Sequence, residues 1–261
     1  MHSSRRFCVL LAALLTITGC TSADDKPFPG EKAQWHGFEI YKGQGTMIVV
    51  PNQTAPGKPW VWRARFWGHE PQFDVAMLNK GYHVVFRDVA DLYGSPTAVK
   101  RWDEFYEMLT ENHGFNRRPI LEGMSRGGLI IYNWAIANPD KVGAIYGDAP
   151  VMDFKSWPGP DAEGIHRAYG FATTKEALAY AGNPVDNLAS LAKAGVPIIH
   201  VVGDADQIVP AAENTSISEK RYQELGGVFE VIHKVGVGHH PHSLADPARL
   251  VDFMERHANS N

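Results

Sequence analysis

Only two cysteines occur in the 261 residues, Cys8 and Cys20. No framework of disulfides is therefore available, and a chain of this length has to hold its fold together by burying an apolar core. Long hydrophobic runs are also missing. The longest stretch, Phe7–Thr18, covers twelve residues even with its threonines counted, short of the ~18–20 that a membrane-spanning helix needs. Charge of one sign is absent too, with 25 Lys+Arg against 29 Asp+Glu and a net −4. No basic tract exceeds two residues, so neither composition nor pattern suggests a nucleic-acid partner. There is no internal repeat and no low-complexity block. At 44% hydrophobic and 21% charged residues, the chain is an ordinary globular one, which excludes disorder, collagen-like repeats and coiled coil.

The N-terminus stands apart. Met1–Arg6 is basic, Phe7–Thr18 is apolar, and Ile17-Thr18-Gly19-Cys20 ends the segment with small residues. That order is the pattern of an export signal. Ile-Thr-Gly-Cys resembles the lipobox of bacterial lipoproteins, which implies cleavage before Cys20 and lipidation of that residue. The expected division is therefore a signal over 1–19, a polar Pro/Gly-bearing tether over 20–32 and one domain over 33–261. Cleavage removes two arginines and no acid, so 242 residues of net charge −6 remain. Cys8 leaves with the signal, and no intramolecular disulfide is then possible. The expected location is an exported, membrane-anchored lipoprotein of the periplasm or outer membrane, held through Cys20. Several acyl chains, each contributing ~0.8 kcal/mol per buried CH₂, make such an anchor stable.

Beyond residue 33, short β-rich runs alternate with helical patterns. Phe38–Tyr41 and Thr46–Pro51 predict a hairpin, and Trp60–Phe66, Tyr82–Asp88, Pro119–Glu122, Ala144–Asp148, Ile198–Gly203 and Phe229–Val235 predict further strands. Pro71–Lys80, Pro96–Thr110, Leu129–Ala137, Lys175–Ala181, Glu213–Leu225 and Pro247–His257 predict helices. The second of these gathers Val99, Trp102, Phe105, Tyr106 and Leu109 on one face. Alternation of this kind specifies an α/β fold with a mostly parallel central sheet and helices on both faces. In such sheets reactive groups belong at the carboxyl ends of the strands.

Gly123-Met124-Ser125-Arg126-Gly127 lies between an apolar strand and an apolar helix. A serine in a tight strand-to-helix turn has its Oγ exposed, while the helix N-terminus favours developing negative charge. A serine alone is a weak nucleophile and needs a base held by an acid. Past the next strands come Asp204-Ala205-Asp206-Gln207-Ile208-Val209-Pro210, and then Gly238-His239-His240-Pro241-His242. With Ser125, Asp206 and His239 in that order, each beyond a strand end, the chain resembles the α/β-hydrolase family over nearly all of Phe38–His257. The resemblance implies a catalytic triad of Ser125, His239 and Asp206, with no cofactor. Asp204 is then a turn-former, and Asp148, at another strand end, is the competing acid. Gly-Met-Ser-Arg-Gly is also similar to the Gly-Cys-Ser-Arg motif of glucuronoyl esterases, with Met124 in place of cysteine. His239, His240 and His242 admit a metal reading, but no companion motif such as HExxH occurs, and no metal is expected.

Acyl transfer also needs donors for the oxyanion. The Arg126 N–H, next to the nucleophile, is the first. The second is expected from the loop after Trp60–Phe66, where Arg65 stands in place of the family's usual His-Gly-Gly. Trp67 and Trp157 fall in loops at the same end and are candidate substrate-binding residues, since tryptophan stacks on sugar rings or aromatic acyl groups. Trp60 and Trp62 alternate along a strand and are expected in the core. Arg63, Arg65, Arg87 and Arg126 lie near strand ends, where they would bind a carboxylate or pair with Glu70, Asp88 or Glu122. Only 46 residues separate Pro150 from Pro197, which leaves room for a minimal cap. The expected activity is a serine hydrolase acting on carboxylic esters of carbohydrates, polysaccharide-linked substrates included. A small peptidase or amidase, and a non-catalytic glycan-binding lipoprotein, are the alternatives.

Overall fold

The computed structural model describes residues 27–258. The signal segment and Cys20 lie outside the described residues. Nine strands form one sheet: β1 (Glu31–Trp35), β2 (Phe38–Gly43), β3 (Thr46–Val50), β4 (Trp60–Ala64), β5 (His83–Arg87), β6 (Ile120–Met124), β7 (Ala144–Asp148), β8 (Ile198–Gly203) and β9 (Phe229–Lys234). Their order is β1-β2-β3-β5-β4-β6-β7-β8-β9. The pairings β1/β2, β2/β3 and β3/β5 are antiparallel, and the five from β5/β4 to β8/β9 are parallel. The sheet is thus mostly parallel, and the reversal of strand order at β4 and β5 opens the crevice beside β6.

Side-chain alternation assigns each face its helices. Trp60, Trp62, Val85, Leu121, Ile145 and Ile198 point to one side, against α2 (Pro96–Glu107) and α3 (Gly127–Ala137). Val61, Val84, Ile120, Tyr146 and Ile199 point to the other, against α1 (Gln72–Asn79) and α8 (Ala248–His257). The aromatic face of α2 packs as its spacing predicts. Trp102 is fully buried and stacks on Trp62 with centroids 4.0 Å apart. The segment between β7 and β8 holds three short helices, α4 (Glu163–Tyr169), α5 (Thr174–Ala179) and α6 (Ala189–Lys193). Part of it folds over a small core of its own around Phe154 and Ile165. After β8 comes α7 (Thr215–Glu224).

Two features differ from the sequence expectation. Strand β1 begins at Glu31, so its first two residues fall in the span read as tether. Its sequence, Glu-Lys-Ala-Gln-Trp, is polar and mostly solvent-facing because the strand sits at the sheet edge. Helices α4 and α6, seven and five residues long, are too short to display a helical period.

Beneath the carboxyl ends of the parallel strands lies a buried charge cluster. Arg63 on β4 contacts the carboxylates of Asp74 on α1 and Glu122 on β6, the latter at 3.1 Å. Its second terminal nitrogen donates to the carbonyls of Phe66, at 3.2 Å, and His69. Burial pushes the Glu122 carboxyl well up, with the Asp74 charge adding and Arg63 opposing. A proton on Glu122 leaves one guanidinium against one carboxylate, which is the balance a dry interior tolerates. Arg63→Met would leave the buried Asp74 carboxylate and the Glu122 carboxyl without their cation. A loss of about 3–5 kcal/mol is expected, measured by urea unfolding at pH 7, and a loss under about 1 kcal/mol would contradict the electrostatic role given to Arg63.

Candidate active site

Strand β6 ends at Met124, and α3 starts three residues later, at Gly127. Ser125 occupies the turn with φ +50°, a left-handed conformation that costs a non-glycine residue about 1–2 kcal/mol. Backbone hydrogen bonds hold it there. Ser125 N–H donates to Asp148 O at 2.8 Å, and Gly128 and Val151 N–H groups donate to Ser125 O at 2.9 Å. The motif glycines are required by close approach. A Cβ on Gly123 would lie 2.8 Å from Gly127 O, and one on Gly127 would lie 2.8 Å from Ala64 O.

The loops after β8 and β9 bring the other two groups of the proposed triad to this turn. Ala205 N–H donates to Val237 O at 2.9 Å and ties the loops together. His239 Nε2 is 2.9 Å from Ser125 Oγ, and His239 Nδ1 is 2.6 Å from Asp206 Oδ2. Asp206 Oδ1 accepts the N–H groups of Ile208 and Val209 at 2.8 and 2.9 Å, which fixes the carboxylate. All three residues are 7–8% exposed. The imidazole therefore holds its Nδ1 proton toward Asp206 and offers Nε2 to the serine, the arrangement in which a hydroxyl can be deprotonated. Asp204 stays outside, 2.6 Å from His233 at the surface.

Asp148 makes a separate pair. Its Oδ1 is 2.7 Å from His242 Nδ1, while Oδ2 accepts Ser243 N–H at 2.7 Å and Tyr146 O–H at 2.8 Å. Burial pushes the Tyr146 phenol well up, which keeps it a donor. The competing acid thus orients a different histidine.

A cleft of about 530 Å³ opens over Ser125, lined by Phe66, Trp67, His69, Trp157, Ile208, His239, His240 and His242. Both loop tryptophans reach it. Trp67 also packs on Trp35 and Phe86, with centroids 5.2 and 5.7 Å apart. Trp60 and Trp62 are buried in the core, as their alternation predicts. Sequence reasoning did not place Phe66, His69 or Ile208 at the cleft; only His240 and His242, in His-His-Pro-His, carried a visible signal.

The arginines divide. Arg63 is consumed by the buried cluster, and Arg87 donates to Gln44 O at 3.1 Å. Arg65 follows β4 with φ +63°, and Phe66 follows it at φ +47°. The guanidiniums of Arg65 and Arg126 both stand by the Phe66 ring, 5.0 and 5.8 Å from its centre. Neither forms an ion pair among the described residues. They flank the small crevice beside Gly127, and Phe66 rather than Arg65 faces the cleft. Slight desolvation and the neighbouring His242, His239 and His69 rings hold His240 below the ordinary histidine value.

No protein-family model matches the sequence, and no curated protein resembles it in sequence. Solved structures do resemble its fold. Dipeptidyl peptidase 4 of Porphyromonas gingivalis superposes with a TM-score of 0.64 at 18% identity, over 88% of this chain and 36% of that one. An acylaminoacyl peptidase gives 0.61 at 14% identity, over 88% and 41%. The truncated form of a carbohydrate esterase from gut microbiota gives 0.65 at 14% identity, over 82% and 91%. The chain spans about a third of the length of the first solved structures it matches. At these identities the likeness establishes the α/β-hydrolase fold.

The two aspartates are separable by experiment. Asp206→Asn is expected to lower the rate of p-nitrophenyl acetate hydrolysis by about 10⁴. Asp148→Asn, measured on folded protein, should stay within about tenfold of the parent, because its partner is His242. The opposite ranking would move the acid to Asp148.

Proposed function

We propose that the protein is a serine hydrolase that cleaves carboxylic esters carried by carbohydrates. The observation that carries this is the hydrogen-bonded relay from Ser125 through His239 to Asp206 at the floor of an open cleft. Ser125 Oγ attacks the ester carbonyl as His239 Nε2 takes its proton, and Asp206 stabilises the imidazolium. The oxyanion is held by the backbone N–H of Arg126 and by the Arg65–Phe66 turn, each donor contributing about 3–4 kcal/mol to the transition state. His239 returns the proton to the departing alkoxide. A water that His239 deprotonates then attacks the acyl-enzyme, releasing the acid and Ser125.

Three observations favour an ester on a sugar. Trp67 and Trp157 give the cleft flat apolar walls. Arg65 and Arg126, which form no ion pair among the described residues, stand by the Phe66 ring that lines the cleft and suit an acidic substituent such as a uronate. The chain also covers most of the length of a solved carbohydrate esterase, against about a third of the peptidases. A peptide or amide substrate is the second reading, favoured by the fold likeness to those peptidases.

The purified protein should hydrolyse p-nitrophenyl acetate and either acetylated polysaccharides or methyl-esterified uronides. Ser125→Ala should lose about 10⁶ in kcat. Faster turnover of matched amides than of esters would replace the ester reading, and activity that survives Ser125→Ala would remove the mechanism.

The anchor belongs to the same proposal. Cleavage before Cys20 and lipidation there would hold the domain at a membrane surface, in the periplasm or at the outer membrane. On fractionation, Cys20→Ser should move the protein from membranes to the soluble fraction; retention would contradict the anchor.

A further inference from the structure

The cleft contains two aspartate–histidine pairs, and the proposed relay uses one. In Asp206–His239 and in Asp148–His242 alike, the carboxylate takes Nδ1 and leaves Nε2 to the cleft. Asp148 is 1% exposed and is itself fixed by Tyr146 and Ser243. A buried carboxylate behind an imidazole is the arrangement that holds metal-ligating histidines: it sets the tautomer, aims the ring and raises the basicity of the outward nitrogen. Between the two pairs stands His240, exposed, with no hydrogen bond from either ring nitrogen among the described residues.

One ring nitrogen from each of His239, His240 and His242 lies within 4.8 Å of the others. A tetrahedral zinc ion with Zn–N bonds of about 2.1 Å needs its ligands about 3.4 Å apart, so binding draws the rings together, with the exposed His240 the freest to move. His69 faces them across the cleft, with its ring centre 6.0 Å from His242 and 6.3 Å from His240. An all-imidazole set selects zinc, copper or nickel over magnesium and calcium.

We propose that His239, His240 and His242 form an inhibitory site for a zinc-type divalent ion at the mouth of the cleft, with water as the fourth ligand. The ion takes the Nε2 lone pair of His239 that otherwise accepts the Ser125 proton. Metal occupancy and proton transfer therefore exclude one another. No companion ligand motif is needed, because three ligands come from one loop and the cradle comes from Asp148 at the end of β7 and Asp206 in the loop after β8.

Inhibition rests on the hydrolase reading, whereas binding does not, so the two are measured separately. Titration calorimetry with zinc chloride should give one ion per chain, with magnesium chloride silent. The Kd should rise at least about tenfold in His240→Ala, which changes an exposed side chain, and in His242→Gln. Zinc should also suppress ester hydrolysis and a chelator should restore it. Half-inhibition of His240→Ala, judged against its own metal-free rate, should need at least about tenfold more zinc. Absence of saturable binding to the parent protein, or equal affinity in both variants, overturns the site. Binding at this site with hydrolysis unchanged or accelerated overturns the inhibition.

Discussion

A single guanidinium joins the parts on which the cleft depends. Arg63 connects β4, β6 and α1 through Glu122 and Asp74, and from the same planar group it holds the carbonyls of Phe66 and His69. The loop that leaves β4 contains two successive left-handed residues, Arg65 and Phe66, and has no regular ladder to hold it. Donation from below substitutes for that ladder. A lysine would not do the same, since one ammonium cannot place a planar fork between two carboxylates and two carbonyls. The desolvation cost of burying the cluster is offset by this geometry and by protonation of Glu122, so its contribution lies in position more than in stability.

Strain and support meet again at Ser125. Its positive φ is imposed by a hydrogen bond donated to the neighbouring strand end and others accepted from Gly128 and Val151, and by two glycines whose Cβ atoms would collide with the facing backbone. The parallel strands β6, β8 and β9 end at the same edge of the sheet, so three residues distant in sequence converge without any long loop. The left-handed turn raises the serine out of the sheet toward the cleft and His239. The buried aspartates fix two imidazoles against rotation, and Phe66, Trp67 and Trp157 give the cleft an aromatic lining.

Much of this was legible in the sequence, for identifiable reasons. The strand–helix alternation was visible because buried parallel strands are short apolar runs and α2 and α8 carry strong apolar faces. Ser125, Asp206 and His239 were visible because each sits just past a strand end, next to a glycine or a turn signal. The edge strand β1 was not, since Glu31, Lys32 and Gln34 are exposed and only Ala33 and Trp35 are half-buried against the core, too few to make an apolar pattern. One partner of Arg63, Glu122, was among the carboxylates the sequence offered, whereas Asp74 was not, being on a helix with no motif of its own. The sequence suggested that Arg63 and Arg65 act alike, but β4 ends at Ala64 and the left-handed turn at Arg65 breaks the alternation that would have kept them on one face. The pairing of Asp148 with His242 was hidden for a related reason: it joins residues 94 positions apart, and the sequence offered Asp148 only as the competing acid and His242 only in the metal reading.

The central claim is that Ser125 is a nucleophile activated by the His239–Asp206 pair. The most direct measurement is reaction with a fluorophosphonate, followed by mass spectrometry of the digested protein. One phosphonyl adduct on Ser125, formed in the native state and abolished by prior denaturation, is the predicted result. A folded protein that remains unlabelled at Ser125, or one labelled at another residue, would contradict it.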